Sequence, residues 1–348
     1  MRPSFITWYP YCRRSDTIAA ELGGPSHLIH YLSFKRPLQA PLKYVMQTLR
    51  TLWVLQREKP DVVFVAVPPI FAALPVLLWA RLRGSTRVVI DAHTGIFEHA
   101  RWSWLLPLTR WTFRRADSVI VTGKHLKNLV ESWGAHAIVI GTVPVRFCEG
   151  TRPAACSGAR VVVVNTFSVD EPVGEVLAAA RTLEQTRFSI TGDVQHADRT
   201  WLESKPENVE FTGFVSEEEY AGLMRAADAV VVLTTHDHTM QRGGYEAMAL
   251  ERPLVTSDWQ LLRETFSRGT VHVDNNSTAI AEGIAAAIRD GDRLVREMRV
   301  LRTEHEEVFR TRLRELCERV GLDSRSVRAT EIAAANPPYA FETQSQGD

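Results

Sequence analysis

The stretch that decides the fold is THDHTMQRGGYEAMALERPLVTSD, Thr235 to Asp258. It follows the apolar run ADAVVVLT, which predicts a buried strand, and it ends in RPLVTSD, which predicts the next strand. Between them YEAMALE predicts a helix, and Gly243 and Gly244 stand where that helix begins. Because two glycines there cost backbone entropy, their position indicates that another group approaches the main chain closely.

The rest of the chain alternates strands and helices in two series. In the first half DVVFVAV, RVVIDAH and SVIVTG are continuous apolar runs, typical of parallel strands covered on both faces. The series restarts at RVVVVNT, after an aperiodic stretch from Pro144 to Arg160 that predicts a linker. We therefore expect an α/β protein with two Rossmann-like domains, whose parallel sheets face a central cleft that holds the ligand.

Length and composition fit this division. The 348 residues are 45% hydrophobic and 24% charged, which is ordinary for a globular protein of about two domains. We predict domains at residues 1–150 and 151–325, followed by a poorly ordered tail at 326–348. The four cysteines form no CxxC pair, and the N-terminus MRPSFITWYPYCRR has no apolar core of a signal peptide, so we expect a cytoplasmic protein with reduced thiols.

The net charge of zero conceals an asymmetry. Residues 1–150 contain 19 Lys and Arg against 9 Asp and Glu, so this half carries +10 and the remainder −10. A basic half favours an anionic partner: nucleic acid, phospholipid or a pyrophosphate-linked substrate. No fold signature of nucleic-acid binding accompanies the charge, so we do not expect a nucleic-acid partner.

Two segments raise the question of a membrane. The apolar stretch Val62 to Leu82 is long enough for a span, but Pro68, Pro69 and Pro75 favour a strand, a proline turn and an apolar helix. The segment ARWSWLLPLTRWTFRRAD interleaves tryptophans with arginines, as membrane-interface segments do. It predicts peripheral contact, at the inner face of the plasma membrane. The alternative is a core helix with a basic outer face.

The second half resembles glycosyltransferase family 4, a group of retaining transferases with the two-domain GT-B fold. The resemblance runs from VVVVNTFSVDEP through FSITGD to the opening stretch, and YEAMALERPLV is its most specific part. The first half fits only in its pattern. The resemblance implies transfer from a nucleoside-diphosphate sugar to a saccharide or lipid-linked acceptor, in polysaccharide or glycoconjugate biosynthesis. It also implies that residues 1–150 bind the acceptor, that 151–325 bind the nucleotide sugar, and that neither metal nor cofactor is required.

The predicted donor site centres on the helix start. Unpaired N–H groups and the positive end of the helix dipole favour a diphosphate, Arg242 adds a cation, and Glu246 can accept hydrogen bonds from ribose hydroxyls. We predict a catalytic role for Arg242 and His238. The predicted donor-binding residues are Thr166, Gly192, Asp193, Phe214, Met240, Gln241, Arg242, Gly243, Gly244 and Glu246. The alternative is a glycine-rich helix start with a Glu placed for the dipole.

The sequence departs from the family at two points. The family commonly carries an Arg/Lys pair for the diphosphate near the end of the first strand of the second domain, where this chain has Asp170 and Glu171. A second acidic residue usually stands eight positions before Glu246, and here that position is His238. With His236 it forms a His-Asp-His segment, which we interpret as a polar edge of the site rather than a metal site.

On the acceptor side, the segment VVIDAHTGIFEHARW places Asp91 and His93 at a strand end. The resemblance implies an acceptor role there, in which His93 orients the attacking hydroxyl or the donor sugar. The predicted acceptor-binding residues are Arg13, Arg14, Asp91, His93 and Thr94, with His93 also catalytic. Two other functions stay open: a non-catalytic nucleotide-sugar-binding or scaffold protein of the same fold, and a nucleotide-sugar epimerase.

Overall fold

The computed structural model describes residues 1–32, 39–98, 100–151 and 158–323. Contacts divide the described chain into two units: Met1–Val143 with residues 307–323, and Pro144–Glu306. Each unit is built on a parallel sheet of six strands with helices against it. The α/β GT-B architecture expected from the sequence is thus confirmed in its elements. The predicted tail 326–348 and Cys156 lie outside the described residues.

The first unit contains strands β1 to β6 and helices α1 to α7. In chain order they are β1 Pro3–Thr7, α1 Arg13–Leu22, β2 Ser26–Leu28, α2 Ala40–Glu58, β3 Val62–Val67, α3 Ala73–Arg83, β4 Arg87–Ala92, α4 Gly95–Glu98, α5 Ala100–Ser103, α6 Leu106–Phe113, β5 Ser118–Val121, α7 Lys124–Ser132 and β6 Ala137–Val139. The sheet order is β2-β1-β3-β4-β5-β6, with every pair parallel.

Alternate residues of these strands enter two cores. Val63 and Val65 of β3 pack with α2, α3, α6 and α7 on one face of the sheet. Their neighbours Val62 and Phe64 pack on the opposite face, with α1. The apolar stretch from Val62 is therefore a strand, a short turn and helix α3, as the prolines predicted. No helix in the described ranges is long and apolar enough to cross a membrane.

The second unit contains strands β7 to β12. Its elements are β7 Ala159–Val163, α8 Val173–Thr182, β8 Thr186–Thr191, α9 Arg199–Glu203, β9 Val209–Gly213, α10 Glu217–Ala226, β10 Ala229–Val232, α11 Arg242–Ala249, β11 Leu254–Ser257, α12 Gln260–Thr265, β12 Thr270–Val273, α13 Ser277–Arg289 and the start of α14 Gly291–Val320. The sheet order is β12-β11-β10-β7-β8-β9, again parallel. Helices α8 and α13 cover one face, and α10, α11 and α12 cover the other.

Helix α14 contributes to both cores. Met298 and Leu301 pack with α11 and α12, whereas Phe309 and Leu313 pack with α1 on the first sheet. Residues 307–323 therefore belong to the first unit, whereas the sequence analysis placed them in a domain at 151–325. The physical reason is that an apolar stripe shows which face of a helix is buried but does not identify the sheet that buries it.

Candidate functional site

Helix α11 begins at Arg242, directly after the loop that follows β10. No side chain caps its N-terminus, since Gln241 makes no side-chain capping hydrogen bond. The first N–H groups of any helix lack an intrahelical partner, and the helix dipole is positive at this end. The start of α11 therefore offers donors and partial positive charge to an anion.

The two glycines are explained by packing of the protein itself. A Cβ atom on Gly243 would lie 2.9 Å from the Val164 side chain and 3.0 Å from Val232, and one on Gly244 would lie 2.5 Å from the Phe266 ring. Both glycines are buried. The sequence analysis assigned them to close approach of a nucleotide, but the groups that approach them are these side chains of the same unit.

Glu246 lies one turn into α11 and is buried, and both of its carboxylate oxygens accept hydrogen bonds. Tyr220 on α10 donates its hydroxyl to Oε2 at 2.6 Å, and Arg242 donates Nε to Oε1 at 2.9 Å. The two ends of the Arg242–Glu246 pair differ in environment: the Arg side chain is 63% exposed and the Glu side chain 9%. The carboxylate is thus fixed, and the cation beside it reaches solvent.

The acidic pair that replaces the family's basic residues ties down the loop after β7. Glu171 accepts the N–H groups of Thr166 at 2.9 Å and Ser168 at 2.8 Å. Burial raises the pKa of the Glu171 carboxyl, and these hydrogen bonds oppose the rise. Asp170 accepts the Thr234 hydroxyl at 2.7 Å. Although burial acts to raise the pKa of Asp170, hydrogen bonds from Ser168 and Thr234 bring it below its ordinary value.

The other predicted donor residues lie at the carboxyl ends of neighbouring strands. Thr166 is exposed after β7, and its N–H and hydroxyl both donate to Glu171. Gly192 follows β8 with φ +118, where a Cβ would lie 2.5 Å from the Asn165 carbonyl oxygen, so this position does require glycine. Asp193 accepts the N–H of Gln195 at 3.0 Å. Phe214 follows β9 and is exposed.

Residues 233–241 form the loop between β10 and α11. His238 has φ +62, and its side chain is 84% exposed with Nε2 3.4 Å from the Asp237 carboxylate. Met240 is exposed and Gln241 half-buried. Within the described ranges no group of three His, Cys, Asp or Glu side chains is placed to hold a metal ion.

In the first unit, Asp91 at the end of β4 is paired with Arg14 at the start of α1. Arg14 Nε lies 2.9 Å from both carboxylate oxygens of Asp91, and Nη2 donates to the Ile140 carbonyl at 2.7 Å. Nη1 donates to the carbonyl of Gly141. The two side chains are 11% and 6% exposed. Arg14 therefore links α1, β4 and the end of β6, so its contacts are structural, and the anionic acceptor predicted for it would have to displace them.

His93 stands two residues after Asp91, with its side chain partly exposed. Its Nε2 lies 3.7 Å from Asp91 Oδ2 and 4.0 Å from the Cys12 sulfur. Burial lowers the pKa of His93, Asp91 opposes the shift and Arg14 adds to it. The imidazole is therefore neutral near pH 7. Thr94 shares a hydrogen bond of 3.0 Å with Thr122, and Arg13 is half-buried in the first turn of α1.

The Trp and Arg segment divides between core and surface. Phe113 is buried in the core under α6, whereas Trp104 and Trp111 are exposed. The Arg115 guanidinium lies 4.0 Å from the centre of the Trp111 ring. The core-helix alternative thus accounts for Phe113 and leaves two tryptophans on the surface.

Sequence reasoning missed Tyr220 and Cys12. Tyr220 lies four residues before the fully buried Met224, so helical spacing places its ring toward the core, where a phenol needs a hydrogen-bond partner. The spacing of Tyr220 and Met224 could therefore have predicted a buried phenol with a hydrogen-bond partner. Cys12 approaches His93 across 81 residues of chain, and no local pattern predicts such a contact. Burial raises the pKa of the Cys12 thiol.

Comparison with known proteins agrees with this arrangement. The model of the group 1 glycosyl transferases matches residues 158–290, and the model of the glycosyl transferase 4-like domain matches residues 9–146. No curated protein matches the chain.

Among solved structures, a glycosyltransferase from Rickettsia africae ESF-5 shares 12% identity and a TM-score of 0.63, covering 94% of this chain and 99% of its own. HepE from Anabaena, in complex with UDP and glucose, shares 16% identity and a TM-score of 0.58, covering 92% and 99%. A putative UDP-N-acetylglucosamine 2-epimerase from Listeria monocytogenes shares 12% identity and a TM-score of 0.58, covering 90% and 95%. These likenesses concern the fold alone, and the two family models distinguish between the functions that share it. The chain belongs to the glycosyltransferases with the GT-B fold, of the group 1 and family 4 type.

Proposed function

We propose that the second unit binds a nucleoside-diphosphate sugar at the start of α11, and that the sugar passes with retention to a saccharide or lipid-linked acceptor. The observation that supports this most strongly is the buried Glu246 carboxylate, held by Tyr220 beside an exposed Arg242. A diphosphate sugar requires a cation for the phosphates and an acceptor for the ribose hydroxyls. This pair supplies both within one helical turn.

In the proposed mechanism Arg242 turns from Glu246 to the phosphates when the donor binds. The exposed guanidinium can do so without crossing the core, and its fork geometry matches phosphate oxygens. One oxygen of Glu246 then accepts a ribose hydroxyl, while Tyr220 still holds the other. The N–H groups at the start of α11 and Arg242 stabilise the diphosphate as the glycosidic bond breaks. His238 faces the transferred sugar in place of the family's acidic residue.

The acceptor role falls to the first unit in this proposal. A neutral His93 orients the attacking hydroxyl by a hydrogen bond, and Thr94 and Arg13 contact the acceptor. The Arg14–Asp91 pair acts through His93 as a positioning group. The hydroxyl attacks the anomeric carbon from the face that the diphosphate leaves, and its proton passes to the departing diphosphate oxygen. No protein nucleophile, metal or further cofactor takes part.

Calorimetric titration of UDP, GDP, ADP and dTDP tests the donor site. UDP is the first choice because the Anabaena protein binds it. We expect one diphosphate to bind the wild type, Glu246→Ala to abolish that binding, and Glu304→Gln to leave it unchanged, since Glu304 is exposed and forms an ion pair with Arg268. Failure of all four to bind the folded wild type, or equal affinity in Glu246→Ala, would refute the assignment.

Product analysis tests the reaction. Incubation with the donor that binds and a saccharide acceptor should give a glycoside whose anomeric proton coupling matches that of the donor. An inverted anomer would refute retention. Conversion of the donor to its epimer without transfer would assign the reaction to the epimerase alternative.

A further inference from the structure

Helix α2 has an apolar band on its outer face, in addition to the apolar residues that it buries in the core. The outer stripe, defined as Leu42, Val45, Met46, Leu49 and Trp53, is exposed to solvent. At 100° per residue these five positions fall within an arc of about 100°, so they form one continuous apolar band along the helix. A helix at the surface of a monomeric protein normally turns such a band to the core.

The inward face of α2 carries polar side chains along its first three turns, before the buried Val54 and Leu55. Lys43, Gln47 and Thr51 are all buried, at intervals of one turn. Gln47 donates Nε2 to the Ile29 carbonyl at 2.8 Å, and Thr51 accepts the indole N–H of Trp8 at 2.9 Å. These contacts fix the rotation of the helix, because turning the outer stripe inward would leave the Trp8 N–H and the Ile29 carbonyl without partners. The exposure of the stripe is therefore built into the fold.

The charges beside the stripe identify the occupant. Residues 39–60 contain Lys43, Arg50, Arg57 and Lys59 and a single acid, Glu58, whose carboxylate is taken up by His27 at 2.8 Å and Ser4 at 2.9 Å. Arg50 and Arg57 lie 4.1 and 5.2 Å from the centre of the Trp53 ring. Arginines stacked on an interfacial tryptophan, along an apolar band without free acids, match the boundary between acyl chains and anionic headgroups.

The neighbouring helices α3 and α6 also expose apolar side chains and lack acidic residues. Helix α3 packs beside α2, and α6 packs beside α3. Their exposed apolar side chains are Leu78, Leu82 and Trp111, and neither helix contains an acidic residue. A partner chain of ordinary composition would need many acids to match such a surface, whereas an anionic bilayer supplies negative charge everywhere along it.

We propose that the outer stripe of α2 is the surface by which the protein docks on an anionic lipid bilayer, with Leu49 and Trp53 inserted and Arg50 and Arg57 on the phosphates. The sequence analysis placed membrane contact at residues 100–117, and this proposal centres it on α2 instead. This inference is independent of which sugar is transferred.

Vesicle co-sedimentation at low salt tests the proposal. The full chain is mixed with vesicles of three parts phosphatidylcholine to one part phosphatidylglycerol, and with vesicles of phosphatidylcholine alone. We expect binding to the first and at least about tenfold weaker binding to the second, with affinity falling as salt rises. Equal binding to both vesicles would overturn the electrostatic part of the proposal, and no binding to either would overturn it entirely.

Matched variants locate the surface. Leu49→Ser with Trp53→Ser should reduce vesicle binding about tenfold or more, and Arg50→Glu should reduce binding only to the anionic vesicles. Val308→Ser is the control, because Val308 is 62% exposed and Leu49 63%. Wild-type binding by both stripe variants would refute the location. Circular dichroism checks folding, and Arg50→Glu replaces an exposed side chain, so it tests the location even if the double variant unfolds.

The oligomeric state shows whether a second copy of the chain, rather than a bilayer, covers the outer stripe. If the wild type does not bind vesicles but elutes as a dimer that Leu49→Ser with Trp53→Ser converts to a monomer, a second copy covers the stripe and the bilayer proposal is wrong. Nucleotide affinity should be unchanged in the stripe variants, so failure of this proposal is distinguishable from failure of the donor-site assignment.

Discussion

The candidate site residues of each unit include an arginine–carboxylate pair, and the two pairs, Arg14–Asp91 and Arg242–Glu246, differ in environment. Arg14 and Asp91 are both nearly buried, and further donors of Arg14 are taken by backbone carbonyls. Arg242 and Glu246 share one hydrogen bond, and the arginine is mostly in solvent. The first pair cannot exchange partners without exposing a buried charge, whereas the second can. Burial of the cation therefore distinguishes a structural ion pair, Arg14–Asp91, from a pair whose arginine can bind a ligand, Arg242–Glu246.

The largest expected effect is the loss of stability when the buried Arg14–Asp91 pair is broken. Asp91→Ala leaves the Arg14 guanidinium buried without its counter-ion, so the free energy of unfolding should fall by about 3–5 kcal/mol. Urea denaturation measures it. In the control, Glu131→Ala breaks an exposed pair with Lys127 and should cost at most about 0.5 kcal/mol. Similar losses in the two variants would erase the distinction between buried and exposed pairs.

The exposed pair should behave in the opposite way. Arg242→Gln should change the free energy of unfolding by at most about 1 kcal/mol, because the Arg242 side chain is mostly exposed and the Glu246 carboxylate keeps its hydrogen bond from Tyr220. Affinity for the nucleoside diphosphate should fall about 10- to 100-fold, since a hydrogen bond to a charged group contributes about 1.5–3 kcal/mol. Thermal melting and calorimetry on the same sample give both numbers. A large stability loss with unchanged affinity would make Arg242 a structural residue.

A third variant tests the packing around the start of α11 and leaves both ion pairs intact. Gly244→Ala places a Cβ against the Phe266 ring, and overpacking of this kind costs about 1–3 kcal/mol of stability. Gly291→Ala is the control, because a Cβ there meets no atom within 4 Å. If the two variants are equally stable, the packing explanation for the glycines fails and close approach of a ligand becomes the better one.

The smallest effect expected is the pH dependence contributed by His93. Its pKa in the folded protein is lowered from the ordinary 6.5, so the unfolded chain binds the proton more readily. The contribution to stability is full above pH 6.5 and is lost as the pH falls through the lower folded value. His93→Asn should therefore flatten the stability profile below pH 6.5, measured by urea denaturation at several pH values. An unchanged profile would mean that His93 titrates normally.

The two pairs also show which features could be predicted from the sequence and which could not. Apolar runs and their spacing predicted both parallel sheets, because a strand covered on both faces is a continuous run of apolar residues in the sequence. The start of α11 was located for the same reason. The packing of Gly243 and Gly244 was not predicted, since their neighbours Val164, Val232 and Phe266 come from other elements. Arg14 was predicted to meet an acceptor, and its contact with Asp91, 77 residues away, cannot be read from spacing.

Helix α14 illustrates the same limit at larger scale. The helix spans Gly291–Val320, and its second half packs on the first sheet. Which sheet buries Phe309 and Leu313 depends on the path of the whole chain. Local pattern thus predicts elements and their buried faces, while partners distant in sequence require the structure.

Hydrogen exchange at the start of α11 tests the central claim most directly. The exchange of backbone amides in peptides spanning residues 239–249 is followed by mass spectrometry, with and without saturating UDP. We predict slower exchange in these peptides when UDP is bound, and loss of that protection in Arg242→Gln at the same concentration. Protection that appears only elsewhere in the chain, with these peptides unchanged, would place the diphosphate at another site and contradict the account.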